Sequence, residues 1–216
     1  MDARLEAILS RVHGNVLADI GCDHGKVAVY AVLRGLVRRS IAADISKACL
    51  DKARALAKER GAEAVEFRLG DGMSVLAPYE ADCVVIAGMG GREMVKILSC
   101  APPSDAEFIL VPHDDAPLLR GYLAREGYAA LSDVTVKAGG KFYPVIVCKK
   151  DGVCRTLSTE ELLYGSGAAT AERLEYMRQR EKALQDICGG MDKNAPAYAA
   201  QLELLQATRR AIGRGI

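Results

Sequence analysis

Two carboxylates, an imidazole and two glycines fall within the short stretch Asp19-Ile20-Gly21-Cys22-Asp23-His24-Gly25. The apolar run Val16–Ile20 before the glycines reads as a buried strand, and a helix follows from Lys26, so the acids sit on a strand-to-helix turn. Such a turn leaves backbone N–H groups and a helix N-terminus facing one small space, a ready ligand site in α/β proteins. Gly21 and Gly25 let the backbone approach that ligand where a β-carbon would block it. The dinucleotide fingerprint G-x-G-x-x-G needs glycine where this chain has Asp23, whose charge repels a pyrophosphate at close range. Acids in the turn suit instead a ligand with a cationic amine or sulfonium and ribose hydroxyls. S-adenosylmethionine has both.

Further strand ends carry residues of the same kind. Asp44 closes a second strand, Ser40–Ile45, about twenty residues on, where an acid accepts hydrogen bonds from ribose hydroxyls. A third strand, Val65–Leu69, delivers Gly70-Asp71-Gly72. Asp71 there suits an adenine amino group, a plain turn being the competing reading. The fourth, Asp82–Ala87, is apolar on both faces, as a central parallel strand should be. It ends in Gly88-Met89-Gly90-Gly91, where three glycines in four residues ask for positive φ or for a planar group lying against the backbone. The fifth, Glu107–Val111, runs into Pro112-His113-Asp114-Asp115.

Helices must link these strands. Asp2 caps a short one with Leu5, Ile8, Leu9 and Val12 at helical spacing. The helix from Lys26 to Val37 buries Val29, Val32, Leu33 and Leu36. Ser46 caps the next, Lys47–Arg60, which ends at Gly61. A last one, Ala116–Gly127, buries Leu118, Leu119 and Leu123. Two β-rich runs, Ala129–Lys137 and Phe142–Lys149, meet at Gly139-Gly140, a hairpin signal. A parallel sheet closed by an antiparallel hairpin is the seven-stranded class I (Rossmann-like) methyltransferase arrangement, not the six-stranded dinucleotide one.

Composition shifts after Asp151-Gly152, which divides the chain into residues 1–152 and 153–216. Leu174, Met177, Leu184 and Ile187 form a heptad-like stripe. Gly189-Gly190 interrupts it, and a second stripe through Tyr198, Leu202, Leu205 and Ile212 follows Pro196. Two amphipathic helices in an antiparallel, coiled-coil-like hairpin are expected.

Bulk properties set limits. The 216 residues suit one α/β domain and a small appendage, and a formal net charge of +1 gives no global pull on nucleic acid. From Arg155 onward nine Lys/Arg face eight Asp/Glu. The seven cysteines contain no C-x-x-C pair, so neither a metal site nor a redox motif is expected. With no apolar leader or long apolar run, the chain reads as cytoplasmic, with reduced thiols and no membrane partner.

On the turn D-I-G-x-D-H, Asp44, Gly70-Asp71-Gly72, the segment I-A-G-M-G-G and the helical tail, the chain resembles the bacterial tRNA adenine-22 N1-methyltransferases (the TrmK family). The resemblance covers nearly the whole length. It implies S-adenosylmethionine as cofactor and tRNA as substrate. Gly21, Asp44, Asp71 and Gly88 would line the cofactor pocket, joined by Asp19, Cys22, His24, Gly25, Ile45, Gly72 and Ala87. Met89, Gly90, Gly91 and Pro112 would face the substrate. Asp23 is the candidate that accepts from the adenine amino group, with His113 second. The chain departs from the family pattern at Lys26-Val27-Ala28, at Val111 and His113, at Pro144 and at Tyr164-Gly165-Ser166. A methyltransferase for another RNA base or a small molecule, or a non-catalytic RNA-binding protein on the same scaffold, stays open on the sequence, as does the choice between a monomer and an assembly.

Overall fold

The computed structural model describes residues 2–215. Seven strands, β1 (Val16–Ile20), β2 (Arg39–Asp44), β3 (Val65–Leu69), β4 (Cys83–Ala87), β5 (Glu107–Val111), β6 (Tyr128–Ala138) and β7 (Lys141–Lys150), form one sheet in the order β3-β2-β1-β4-β5-β7-β6. The first five are parallel; β7 runs antiparallel to both β5 and β6. This is the expected seven-stranded methyltransferase arrangement. Gly139 and Gly140, at φ 56° and 76°, join β6 to β7, since a tight two-residue turn needs positive φ at both positions.

Helices α1 (Ala3–Leu9), α2 (Lys26–Leu33) and α3 (Lys47–Arg60) cover one face of the sheet; α4 (Gly91–Ser99) and α5 (Ala116–Arg125) cover the other. Covered on both sides, β1 and β4 are apolar nearly throughout, as parallel central strands must be. Asp2 caps α1, Ser46 caps α3, and Gly61 ends α3 in the left-handed conformation.

Several expectations are corrected. The first connecting helix stops at Leu33 rather than Val37, because Gly35 takes φ 66° and turns the chain, and Leu33 is 42% exposed rather than buried. Leu118 is also exposed, and Leu119 and Leu123 do the packing of α5. Val12 is buried just past the end of α1. Strand β2 ends at Asp44, leaving Ile45 outside it.

The remainder is helical: α6 (Thr159–Tyr164), α7 (Ala171–Gly190) and α8 (Pro196–Arg214). The sequence reading missed α6, although Ser158 and Glu161 form a capping box there. Gly189 and Gly190 stay within α7, and the break comes at Met191. Of the expected stripe, Met177 and Leu184 are buried but Ile187 is exposed. The apolar cluster here is small, centred on Tyr164, Met177 and Ala211. The junction with the sheet is polar instead. Asp133 on β6 takes two bonds from Arg120 of α5 (2.7 and 3.0 Å), and Arg120 also donates to the Leu162 and Leu163 carbonyls of α6. Arg173 of α7 donates to the Asp133 carbonyl and to those of Ser166 and Gly167. All three charged side chains are buried.

Candidate active site

Strand order reverses between β1 and β4, so the loops leaving their carboxyl ends diverge and open a crevice. A cleft of about 540 Å³ lies there. Asp19, Gly21, Cys22, Asp23 and His24 wall it from the β1–α2 turn, Ala87 and Gly88 from β4, and His113 from beyond β5. The structure thus brings eight of the seventeen residues the sequence singled out to one cleft; Gly25, Asp44, Ile45, Asp71, Gly72, Met89, Gly90, Gly91 and Pro112 do not line it.

The turn is held by backbone. The Gly21 and Cys22 amides both donate to the Ala43 carbonyl (2.8 and 3.0 Å), and Gly25 N–H closes on Cys22 (2.7 Å). Asp23 adopts φ 45°, a left-handed conformation that Asp tolerates better than most residues. Its amide donates to one Asp44 oxygen (3.1 Å) while the Ser46 amide holds the other (2.8 Å). Asp44 is thereby fixed beside the turn at the end of β2. The Asp23 carboxylate stays largely exposed, 3.5 Å from His24 Nε2.

Gly25 has φ 66°, and a Cβ there would stand 2.6 Å from the Ala53 Cβ of α3. The conformation alone costs a side-chain-bearing residue about 1–2 kcal/mol. Gly25→Ala should therefore lower the unfolding free energy by at least that amount, as urea unfolding will register, because α3 cannot yield without moving its backbone.

Asp19 is buried beneath the turn, accepting the Ala28 amide at 3.2 Å. Burial, more than the neighbouring Asp44 charge, pushes its carboxyl up to about 7, and the Ala28 bond only partly opposes this. In the unfolded chain it ionises near 4. Its favourable share in stability is whole below that pH and is lost as pH rises through about 7. The ligand-free protein should thus lose melting temperature across that window, and Asp19→Asn should flatten the profile in a calorimetric pH series. Burial likewise raises the Cys22 thiol well above its usual range, with Asp19 and Asp44 adding to the effect, so it remains protonated at neutral pH.

The glycine loop divides into two parts. Gly88, at φ 88°, faces the cleft, its nearest neighbour being the His113 ring. Met89 lies over the turn, with its methyl where a Gly21 Cβ would be. Gly90 and Gly91 instead make room for the next loop: a Cβ would fall 2.6 Å from the Asp114 carboxylate at Gly90 and 2.4 Å from the Asp115 carbonyl at Gly91. Packing explains that pair without a ligand. Asp71 lies two residues past the end of β3, exposed and outside the cleft wall, and the space at Gly72 is filled by Ile97. Ile45 is 73% exposed beside Asp44. Pro112 lines a neighbouring cavity.

Helix α1 was not foreseen as part of the site. It brings Arg4, Leu5 and Ile8 to the cleft, and Tyr30 of α2 joins them. Arg4 Nη1 lies 3.2 Å from His113 Nε2, and its guanidinium sits over the Tyr143 ring at 5.1 Å. A guanidinium only donates, so His113 Nε2 accepts and the ring proton rests on Nδ1. The amphipathic pattern announced α1; nothing local announced that a contact 109 residues away would dock it over the strand ends.

Among the described residues no group of three or more His, Cys, Asp or Glu is placed to hold a metal, and no helix is long and apolar enough to cross a membrane.

A methyltransferase-domain family profile matches residues 1–146. A curated tRNA (adenine(22)-N(1))-methyltransferase of Bacillus subtilis is 32% identical over 154 residues, which are 69% of this chain but 65% of that one. The crystal structure of the B. subtilis m1A22 tRNA methyltransferase TrmK superposes with a TM-score of 0.84 at 26% identity, over 98% of each chain. The Mycoplasma capricolum TrmK structure, a complex with S-adenosylhomocysteine, reaches 0.90 at 19% identity, covering all of this chain and 99% of that one.

Proposed function

From the premise that this chain belongs to the methyltransferase-domain family, and within it to the TrmK family, we propose that it methylates N1 of adenine 22 in tRNA with S-adenosylmethionine. The observation that carries the reading is the acid-lined cleft at the β1/β4 switch, with Asp23 where a dinucleotide site needs glycine. These residues fit the cofactor. Asp19, Asp23 and Asp44 offer carboxylates to a cationic ligand, and the bare backbone at Gly88 leaves room for one, whereas the Met89 methyl fills the space over Gly21.

When bound, S-adenosylmethionine supplies a sulfonium-activated methyl group. Asp44, held by two backbone amides, is assigned to the ribose hydroxyls, and Ile45 and Asp71, which follow β2 and β3, to the adenine end. N1 of the target adenine needs no proton removed, so the protein's task is orientation. Asp23 accepts a hydrogen bond from the adenine amino group, which raises the electron density at N1 and offsets the positive charge that develops on the ring. His113, across the cleft and held by Arg4, keeps the base in line. N1 lies on the Watson–Crick edge, so the base must leave its pairing or stack to reach the cleft. Residues 1–152 carry transfer, and the helical residues 153–216 bear on the RNA. The setting is cytoplasmic, with reduced thiols.

Titration calorimetry with S-adenosylmethionine separates this reading from that of a scaffold that has lost catalysis. Saturable one-to-one heat is expected, and its absence would remove the cofactor from the account.

A further inference from the structure

A second cavity of about 290 Å³ opens on the far side of His113, between the β6–β7 hairpin and α6–α7. Its chemistry differs from that of the first. Phe142 and Tyr176 face each other at 5.4 Å between ring centroids, and Tyr164 meets Tyr176 edge-on at 5.9 Å. Arg180, one turn along α7 from Tyr176, stands exposed at the wall beside the Tyr164 hydroxyl. The two acids on the opposite wall are already engaged: Asp114 with the Gly91 amide and Asp115 with Arg92 at 2.8 Å. Arg120, also at the wall, is neutralised by Asp133. Among the described residues, Arg180 is therefore the wall's one cation without a carboxylate partner.

Aromatic rings beside a guanidinium that meets only the Tyr164 hydroxyl and no carboxylate are the features that hold a single-stranded nucleotide: the base stacks on the rings and the cation meets the phosphate. We propose that this cavity binds the RNA nucleotide next to the target, its base against Phe142 and Tyr176 and its phosphate at Arg180. This rests on the methyltransferase reading above. His113 borders both cavities, so a strand that places one base in the first cleft passes its neighbour to the second. A flanking base held there keeps the target extruded from its stack. The hairpin and helical segment thereby become part of substrate selection rather than a passive appendage.

The test is equilibrium binding of an unmodified tRNA transcript to the full chain and its Tyr176→Leu, Tyr176→Phe, Arg180→Gln and Arg180→Lys variants, each checked for parental melting temperature and S-adenosylmethionine affinity. Leucine keeps the apolar packing on Tyr164 but removes the stacking face. Tyr176→Leu should weaken tRNA binding about 5- to 100-fold, with Tyr176→Phe close to parental. Arg180→Gln should reduce the salt dependence, log K against log salt, by roughly 0.7, and Arg180→Lys should retain it. Should Tyr176→Leu lower melting, Phe142→Leu at the opposite ring replaces it. Unchanged tRNA affinity in a stable variant lacking either ring overturns the proposal, as does a parent chain that binds no tRNA. Binding that is lost in these variants while the parent transfers no methyl group keeps the cavity and sinks the assigned reaction instead.

Discussion

Asp23→Ala should reduce methyl transfer at least about 100-fold, with S-adenosylmethionine affinity weakened only modestly. The magnitude follows from deleting one preorganised polar group that acts where charge develops. Asp23 suits that task because its backbone is fixed, by φ 45° and by the amide bond to Asp44, while its carboxylate projects into the cleft. Alanine in the left-handed conformation adds about 1–2 kcal/mol of strain. Asp23→Asn is therefore the companion variant, since asparagine tolerates that backbone and changes only the charge and acceptor pattern. Single-turnover transfer at saturating cofactor, with calorimetry for cofactor binding, reads both quantities. Turnover within a few fold of the parent in either variant would remove Asp23 from catalysis and leave His113 as the polar group facing the base.

Asp133→Ala should destabilise the fold by about 3–5 kcal/mol, as expected on removing one partner of a buried ion pair. The loss is large because two guanidiniums, Arg120 and Arg173, remain buried around the vacated position, with side-chain exposures of 5% and 1%. Arg173 is almost wholly shielded from water, and its Nε already lacks a hydrogen-bond partner. The same three residues tie β6 to α5, α6 and α7, so the helical segment should loosen first, with the sheet unfolding at higher denaturant. Urea unfolding followed by far-ultraviolet circular dichroism would show this as an early, separate transition. Replacing Arg120 and Asp133 together by Met and Leu should recover part of the loss, because an apolar pair leaves less charge buried. A shift below about 1 kcal/mol in Asp133→Ala would mean that water reaches the junction.

These two residues mark the limits of what the chain discloses without its structure. Asp23 was legible because its signal is local: an apolar strand, a glycine turn and an acid at the position that a pyrophosphate site reserves for glycine. The hairpin was legible for the same reason, since two consecutive glycines between β-rich runs specify the turn by themselves. Asp133 carries no such mark. It lies among alternating strand residues, and its partners come from helices that only the tertiary fold brings near. Arg4 is similar, its role set by where α1 docks. The glycine loop shows a different failure: Gly88 has the positive φ that its neighbours suggested, but Gly90 faces the Asp114 carboxylate and Gly91 the Asp114–Asp115 backbone. Composition cannot tell room for a ligand from room for another loop. Leu33 and Leu118 were misplaced because periodicity gives a helix face without saying where the helix ends or how it is rotated.

In the proposed function the acidic cleft carries a methyl donor to a tRNA adenine. Incubating the full chain with S-adenosylmethionine labelled in its methyl group and unmodified tRNA transcripts, then mapping the labelled nucleoside, tests it most directly. One product is expected, N1-methyladenosine at position 22, absent from a transcript with guanosine there. Label on another base, or none above the level without protein, would contradict it.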